Sequence, residues 1–245
     1  MNPLIDTLLN HRSVRQFTEQ AIAPELLNTL LQCGQAAASS SFIQAYSVIR
    51  VTNAEHRARI AALAGGQVWI EQSPEFLVFC ADLYRINQCC MAQGEGVLQG
   101  HTEHFIAATV DVALMAQNVL SAAESLGLGG VFIGGIRNDP ETLSELLDLP
   151  DLVYPVFGMC LGYPNQETSL KPRLPVTSIL HEGKYQTDLI QENIQQYDAK
   201  MQSYYQARTR NARTSTWSAQ TAKAIQGKLR QHMLSFLQKR GFLRQ

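Results

Sequence analysis

Residues 105–126 read FIAATVDVALMAQNVLSAAESL. The run is long enough and apolar enough to suggest a bilayer span. Asp111, Gln117, Asn118 and Glu124 interrupt it, however, and each is costly in hydrocarbon. A helix over 103–126, buried in protein, is the better reading. Ala107, Ala108, Ala113, Ala116, Ala122 and Ala123 let neighbours approach it closely. A helix that is apolar all round must be covered on every side. It therefore belongs at the centre of the fold, packed within one chain or also against a second subunit.

The flanking sequence shows what surrounds that helix. Asn2-Pro3 reads as an N-cap followed by proline at the first helical position, with the helix ending near residue 10. Three-and-four spacing predicts helices over 24–37 and 54–66, the second capped by Asn53 and stopped by Gly65-Gly66. Alternating or continuous apolar runs predict strands at 46–52, 75–83, 129–135 and 152–164, with Pro155 at a strand beginning or an edge. Asp139-Pro140 starts a further helix over 140–148, and helical patterns return at 187–206 and 218–240. Helices and strands follow no regular alternation, which predicts an α+β fold rather than a doubly wound sheet.

Composition narrows the function. The chain has 245 residues, 45% of them hydrophobic and 17% charged, with a net charge of −1. It is globular, and its charge argues against a general nucleic-acid binder. The N-terminus lacks the pattern of a secretory signal, and the five cysteines form no CxxC, so reduced thiols in a cytoplasm are expected. Cys80 and Cys160 sit in apolar runs and read as core residues.

Two basic elements stand out against this neutral background. HRSVRQF (11–17) places two arginines and a histidine around Ser13, and LKPRLP (170–175) pairs Lys171 with Arg173 between prolines. Each is either a solvated surface cluster or part of an anion cradle. Arginine forks suit phosphate, and Arg12 and Arg15 share a face if the segment is helical. Serines 39–41 ahead of Phe42 are either a plain loop or a set of hydroxyl donors. GLGGVFIGG (127–135) is no dinucleotide fingerprint, because Phe132 stands where glycine is needed and the element precedes a strand. Its useful part is Gly134-Gly135, where a flat ligand can approach the backbone. His101-x-x-His104 lacks companion ligands for a metal, and no nucleophile motif or phosphate loop is present.

HRSVRQF, SSSF (39–42), GGQ (65–67), AAESLGLGGVFIGGIRN (122–138), LKPRLP and YYQARTRNARTSTW (204–217) occur in an order shared with one family. The sequence resembles the oxygen-insensitive NADPH nitroreductases, the major-nitroreductase and flavin reductase P subgroup of the FMN-dependent nitroreductases. The resemblance runs over nearly the whole chain. It implies a nitroreductase-like α+β fold, a mostly antiparallel central sheet flanked by helices, in an intertwined homodimer. It also implies one domain over 1–245, with a C-terminal extension from about 187.

FMN would then be the cofactor and NADPH the electron donor. The resemblance places His11, Arg12, Ser13 and Arg173 near the FMN phosphate and ribityl chain. It places Arg15, Gln67 and Lys171 at the pyrimidine edge, where cations stabilise the charge of the reduced flavin. Ile133, Gly134 and Gly135 fall beside the ring. Ser39, Ser40, Ser41 and Phe42 match a loop that completes the site of the partner subunit. Arg208 and Arg213 match binders of the NADPH 2′-phosphate. No side chain is expected to be a nucleophile or to hold a metal. The implied activity is ping-pong reduction of nitroaromatics, quinones and related small electron acceptors. A dedicated NADPH-flavin reductase and a non-catalytic flavin module are the alternatives. The stretch 84–104 diverges from the family pattern.

Overall fold

A computed structural model of the chain describes residues 2–207, 215–227 and 229–245. Its backbone divides into two compact units, Met1–Thr168 with Arg230–Gln245, and Ser169–Leu229.

The first unit is built on a four-stranded sheet. Strands β1 (Tyr46–Arg50), β2 (Glu75–Asp82), β3 (Gly129–Ile133) and β4 (Val153–Gly162) lie in the order β1-β2-β4-β3. Every neighbouring pair is antiparallel. Side chains alternate across a pleated strand, so β2 feeds two cores at once. Leu77, Phe79 and Ala81 enter one core, and Phe76, Val78 and Cys80 enter the other. Burial on both faces explains why β2 reads as a continuous apolar run.

The first core holds α6 (Thr102–Ser125) and α2 (Pro24–Gln35), joined by α10 (Met233–Lys239) and Phe242. The opposite core holds α3 (Ala54–Leu63), α4 (Trp69–Gln72) and α7 (Pro140–Leu146). A short α1 (Pro3–Leu9) opens the chain and α5 (Tyr84–Ala92) follows β2. The apolar stretch first noted is thus the helix α6. Among the described residues it is the one helix that could cross a membrane by length and composition. Ala108, Asp111, Val112, Met115, Ala116, Val119, Leu120 and Ala123 are buried along it.

The local signals behave as their chemistry requires. Asn2, Asn53 and Asp139 accept from the N–H groups of Leu4, His56 and Thr142 and cap α1, α3 and α7. Gly65 and Gly66 end α3 with φ of 89° and 77°. Cys80 and Cys160 are fully buried. Burial raises both thiols, Cys160 to about 12, which leaves them protonated and inert.

Pro155 sits near the beginning of β4, before the Gly158–Gly162 stretch that pairs with β3, and it faces Cys80 where the pairing of β2 with β4 shifts, as the sequence led one to expect. Two sequence expectations need correction. The helix expected over 218–240 is two helices, α9 (Trp217–Gln226) and α10. Gly227, at ψ −112°, ends the first of them. Residues 84–92 form α5, which the sequence reading left without structure.

The second unit contains α8 (Ile190–Gln206) and α9. Its small core is Tyr197, Met201 and Tyr205, with Leu174, Tyr204 and Trp217 packed around them. Asp198 accepts from the Ser218 N–H at 2.8 Å and ties α8 to the start of α9. The extension expected from about residue 187 falls inside this unit, which begins at Ser169.

Candidate functional site

The segment 11–17 is extended, not helical. Ser13 bridges Gly130 in parallel and Phe17 bridges Pro164. Val14 N–H donates to Gly130 O at 2.9 Å, and Thr18 N–H donates to Tyr163 O at 2.9 Å. Gln166 Oε1 accepts from the N–H groups of Arg15 and Gln16 at 3.0 and 2.7 Å. The segment therefore covers the free edge of β3 and is clasped by residues just after β4. Val14 turns inward and is buried.

Arg12 and Arg15 do not share a helical face, because no helix forms there. Arg12 lines a cleft of about 760 Å³, together with Asp6, Asn10, Glu124, Gly129, Glu167 and others. Arg15 instead stands over the Trp69 ring, 5.8 Å from its centroid. Trp69 Nε1 is buried and has no hydrogen-bond partner among the described residues. His11 meets Glu124 of α6, with Nδ1 and Oε1 2.7 Å apart. The contact holds the ring in one orientation.

Gln67 lies against Gly135. Its amide Nε2 donates to Ala64 O at 2.8 Å, and a Cβ added to Gly135 would come within 2.3 Å of that nitrogen and 2.5 Å of Ala64 O. The glycine is thus required by the turn after α3, beyond any need of a ligand. The Ile133 side chain is buried in the core, so only its backbone is left for a site. A Cβ at Gly134 would come within 3.3 Å of the Arg137 guanidinium. Arg137 donates to Val156 O. Burial, and then the charge of Arg230, lower its pKa.

Ser40–Phe42 forms a short 3-10 turn. Ser41 and Phe42 sit at φ 46° and 59°, and Gln44 follows at 51°. Non-glycine residues there cost roughly 1–3 kcal/mol each and persist only where the surroundings enforce them. The Phe42 side chain is 80% exposed.

In the second unit, Lys171 Nζ lies over the Tyr205 ring at 5.8 Å. Tyr197 OH donates to Pro172 O at 2.8 Å. The Tyr197 phenol is raised by burial and lowered in part by Arg173. The Lys171–Arg173 segment is therefore docked on α8. Arg208 and Arg213 lie outside the described residues.

Sequence reading missed Glu124, Gln166, Trp69 and Arg137. Glu124 is 113 residues from His11 and Gln166 is 151 from Arg15, so no local pattern links them. The nearest available signal was the carboxylate itself, a polar residue in an otherwise apolar helix.

The fold is an antiparallel sheet with a long apolar helix on one face and its β3 edge closed by a basic N-terminal segment. A solved nitroreductase A from Vibrio parahaemolyticus superposes with a TM-score of 0.91 at 45% identity, covering 100% of both chains. The chain belongs to the nitroreductase family: residues 8–163 match the nitroreductase family and residues 171–245 match its C-terminal domain. It is 46% identical to an NADPH-flavin oxidoreductase of Vibrio harveyi, covering 98% of each chain. It is 42% identical to an FMN reductase (NADPH) of Bacillus subtilis, covering 99% of each.

Proposed function

We propose that the protein is an FMN-dependent NADPH oxidoreductase that reduces nitroaromatics, quinones or flavins by two-electron turnover. The observation that carries this reading is the docking of residues 11–17 on the β3 edge. It puts Arg12 into a cofactor-sized cleft and sets Arg15 over Trp69. FMN brings a phosphate, ribityl hydroxyls and a flat polar-edged ring. The first unit offers guanidinium, imidazole, hydroxyl and amide donors at Arg12, Arg15, His11, Ser13 and Gln67, of which Arg12 lines the cleft. The chemistry of these donors fits the group. Asp6, Glu124 and Glu167 also line the cleft; Glu124 is engaged by His11, and Arg12 is the residue there that attracts a phosphate.

Bound FMN supplies the hydride chemistry. The chain's residues bind and bias it. Arg12, His11 and Ser13 would hold the phosphate and ribityl chain. Arg15, its guanidinium steadied by the Trp69 ring, and Gln67 would serve the pyrimidine edge. The family resemblance assigns Lys171 and Arg173 to the same cofactor. Ile133, Gly134 and Gly135 offer backbone groups to the ring. We further propose a homodimer in which Ser39–Phe42 complete the partner's site. Ile106, Val110 and Leu114, four apart on α6, are 48%, 50% and 44% exposed, an apolar stripe suited to a second copy. Cytoplasmic residence belongs to the same proposal.

NADPH oxidation by the pure protein with a nitrofuran or with free FMN tests the reading and ranks the acceptors. No oxidation with either would overturn it. Two substitutions refine it. Glu124→Ala should raise the FMN Kd about fivefold, for loss of a hydrogen bond worth about 1 kcal/mol, as read by flavin fluorescence. An unchanged Kd would separate His11 from the phosphate. Arg208→Ala should raise the KM for NADPH at least tenfold, about 1.4 kcal/mol, with FMN content unchanged. An unaltered KM would remove Arg208 from the 2′-phosphate.

A further inference from the structure

We infer that Asp111, in the middle of α6, is a positioning residue for flavin binding: it clamps the chain at Ser40 and Ala45, on either side of the strained residues of the serine turn, and holds the form in which that turn meets the cofactor. The inference rests on the FMN reading above. The Asp111 side chain is buried, the residue being 1% exposed. Its two oxygens are divided between two backbone donors. Oδ1 accepts from the Ser40 N–H at 2.8 Å and Oδ2 from the Ala45 N–H at 3.2 Å.

Between those two anchors lie Ser41, Phe42 and Gln44, all at positive φ. The segment's own bonds are partly long; Gln44 O also accepts from the Tyr46 N–H at 2.8 Å and from Arg85 at 3.5 Å. Phe42 N–H donates to Ser39 O at 3.3 Å, and Gln44 N–H donates to Ser39 Oγ at 3.3 Å. Ile43 N–H donates to Ser40 O at 2.9 Å. Three non-glycine residues in the left-handed region need an external restraint, and the carboxylate is the restraint that reaches both ends.

A simpler core would not use a carboxylate. Burying a charge is unfavourable, and an apolar side chain of similar volume packs α6 at lower cost. Asp111 is set near Tyr46, whose hydroxyl is buried without a hydrogen-bond partner among the described residues. The Tyr46 phenol is raised by burial and next by the charge of Asp111, against a lowering by Arg85. The helix thus keeps an anion in an unfavourable place, and what that anion holds is the turn. Neither the Asp82 nor the Glu124 carboxylate bonds Ser40 or Ala45: Asp82 holds Ala45 through its backbone N–H, which donates to Ala45 O at 2.9 Å, while its carboxylate bonds Ser47 and Arg85, and Glu124 bonds His11.

The test compares wild type, Asp111→Asn, and Asp111→Asn combined with Gln44→Gly. Asparagine replaces one acceptor by a donor, so the clamp is lost at one end. Glycine at 44 adopts positive φ without strain and restores the turn by another route. FMN Kd is measured by fluorescence on deflavinated full-length protein, together with the thermal midpoint. Asp111→Asn should weaken FMN at least tenfold, and the added Gln44→Gly should recover at least threefold of that. Wild-type affinity in Asp111→Asn overturns the inference. So does a loss that Gln44→Gly leaves untouched, since that is general destabilisation. If Asp111→Asn does not fold, Asp111→Glu serves in its place. It keeps the charge but displaces the acceptors by one methylene, and the same two criteria apply. The double variant Arg12→Ala with Arg15→Ala is run alongside. If it retains flavin, the FMN reading itself fails; if it alone loses flavin, only the role of Asp111 fails.

Discussion

Purified Arg12→Ala/Arg15→Ala protein should emerge without flavin, its FMN Kd raised by about 10²–10⁴. Each arginine would make charge-assisted contacts worth about 1.5–3 kcal/mol, and each tenfold in affinity corresponds to about 1.4 kcal/mol. The two sit in separate settings, Arg12 on the cleft and Arg15 over Trp69. Their losses should therefore nearly add, as independent sites do. The absorbance ratio of flavin to protein reads the result directly. Full occupancy in the double variant would show that the basic segment serves something other than FMN.

Phe76→Ala should cost about 3–5 kcal/mol, the range for deleting a buried aromatic ring. Phe76 is fully buried in the core shared by α3, α4 and α7. Its ring also occupies the space left by Gly158 on β4, where an added Cβ would meet it at 2.7 Å. The glycine cannot expand to fill the hole, so relaxation is limited. For a chain of this size the loss lowers Tm by about 2–4 °C per kcal/mol. Denaturant unfolding with an unchanged slope gives the figure; a cost below 1 kcal/mol would mean that the site collapses around the missing ring.

The sequence made the α+β class readable because its elements carry their own punctuation. Asn2-Pro3, Asn53 and Asp139-Pro140 are caps whose chemistry acts within four residues. The β2 run is apolar because both its faces are covered. What stayed illegible depends on distance along the chain or on one residue's local freedom. The pattern over 218–240 continues past Gly227, and only the backbone there breaks it into α9 and α10. HRSVRQF carries no mark of its extended form, since the β3 edge that it covers lies more than a hundred residues away. The basic residues could be picked out by type, but Glu124 and Asp111 looked like blemishes in an apolar helix.

Those two carboxylates are 13 residues apart on α6, or roughly 20 Å along a helix that rises about 1.5 Å per residue. One grips the N-terminal segment and the other grips the serine turn. Their spacing works like the pitch of a screw. Adding or deleting a single residue between them would swing one carboxylate about 100° around the axis relative to the other and slide it about 1.5 Å. No side-chain rotation restores both grips at once. A one-residue insertion or deletion between Asp111 and Glu124 should therefore break one of the two grips, whereas the same change between α5 and α6 leaves their spacing intact.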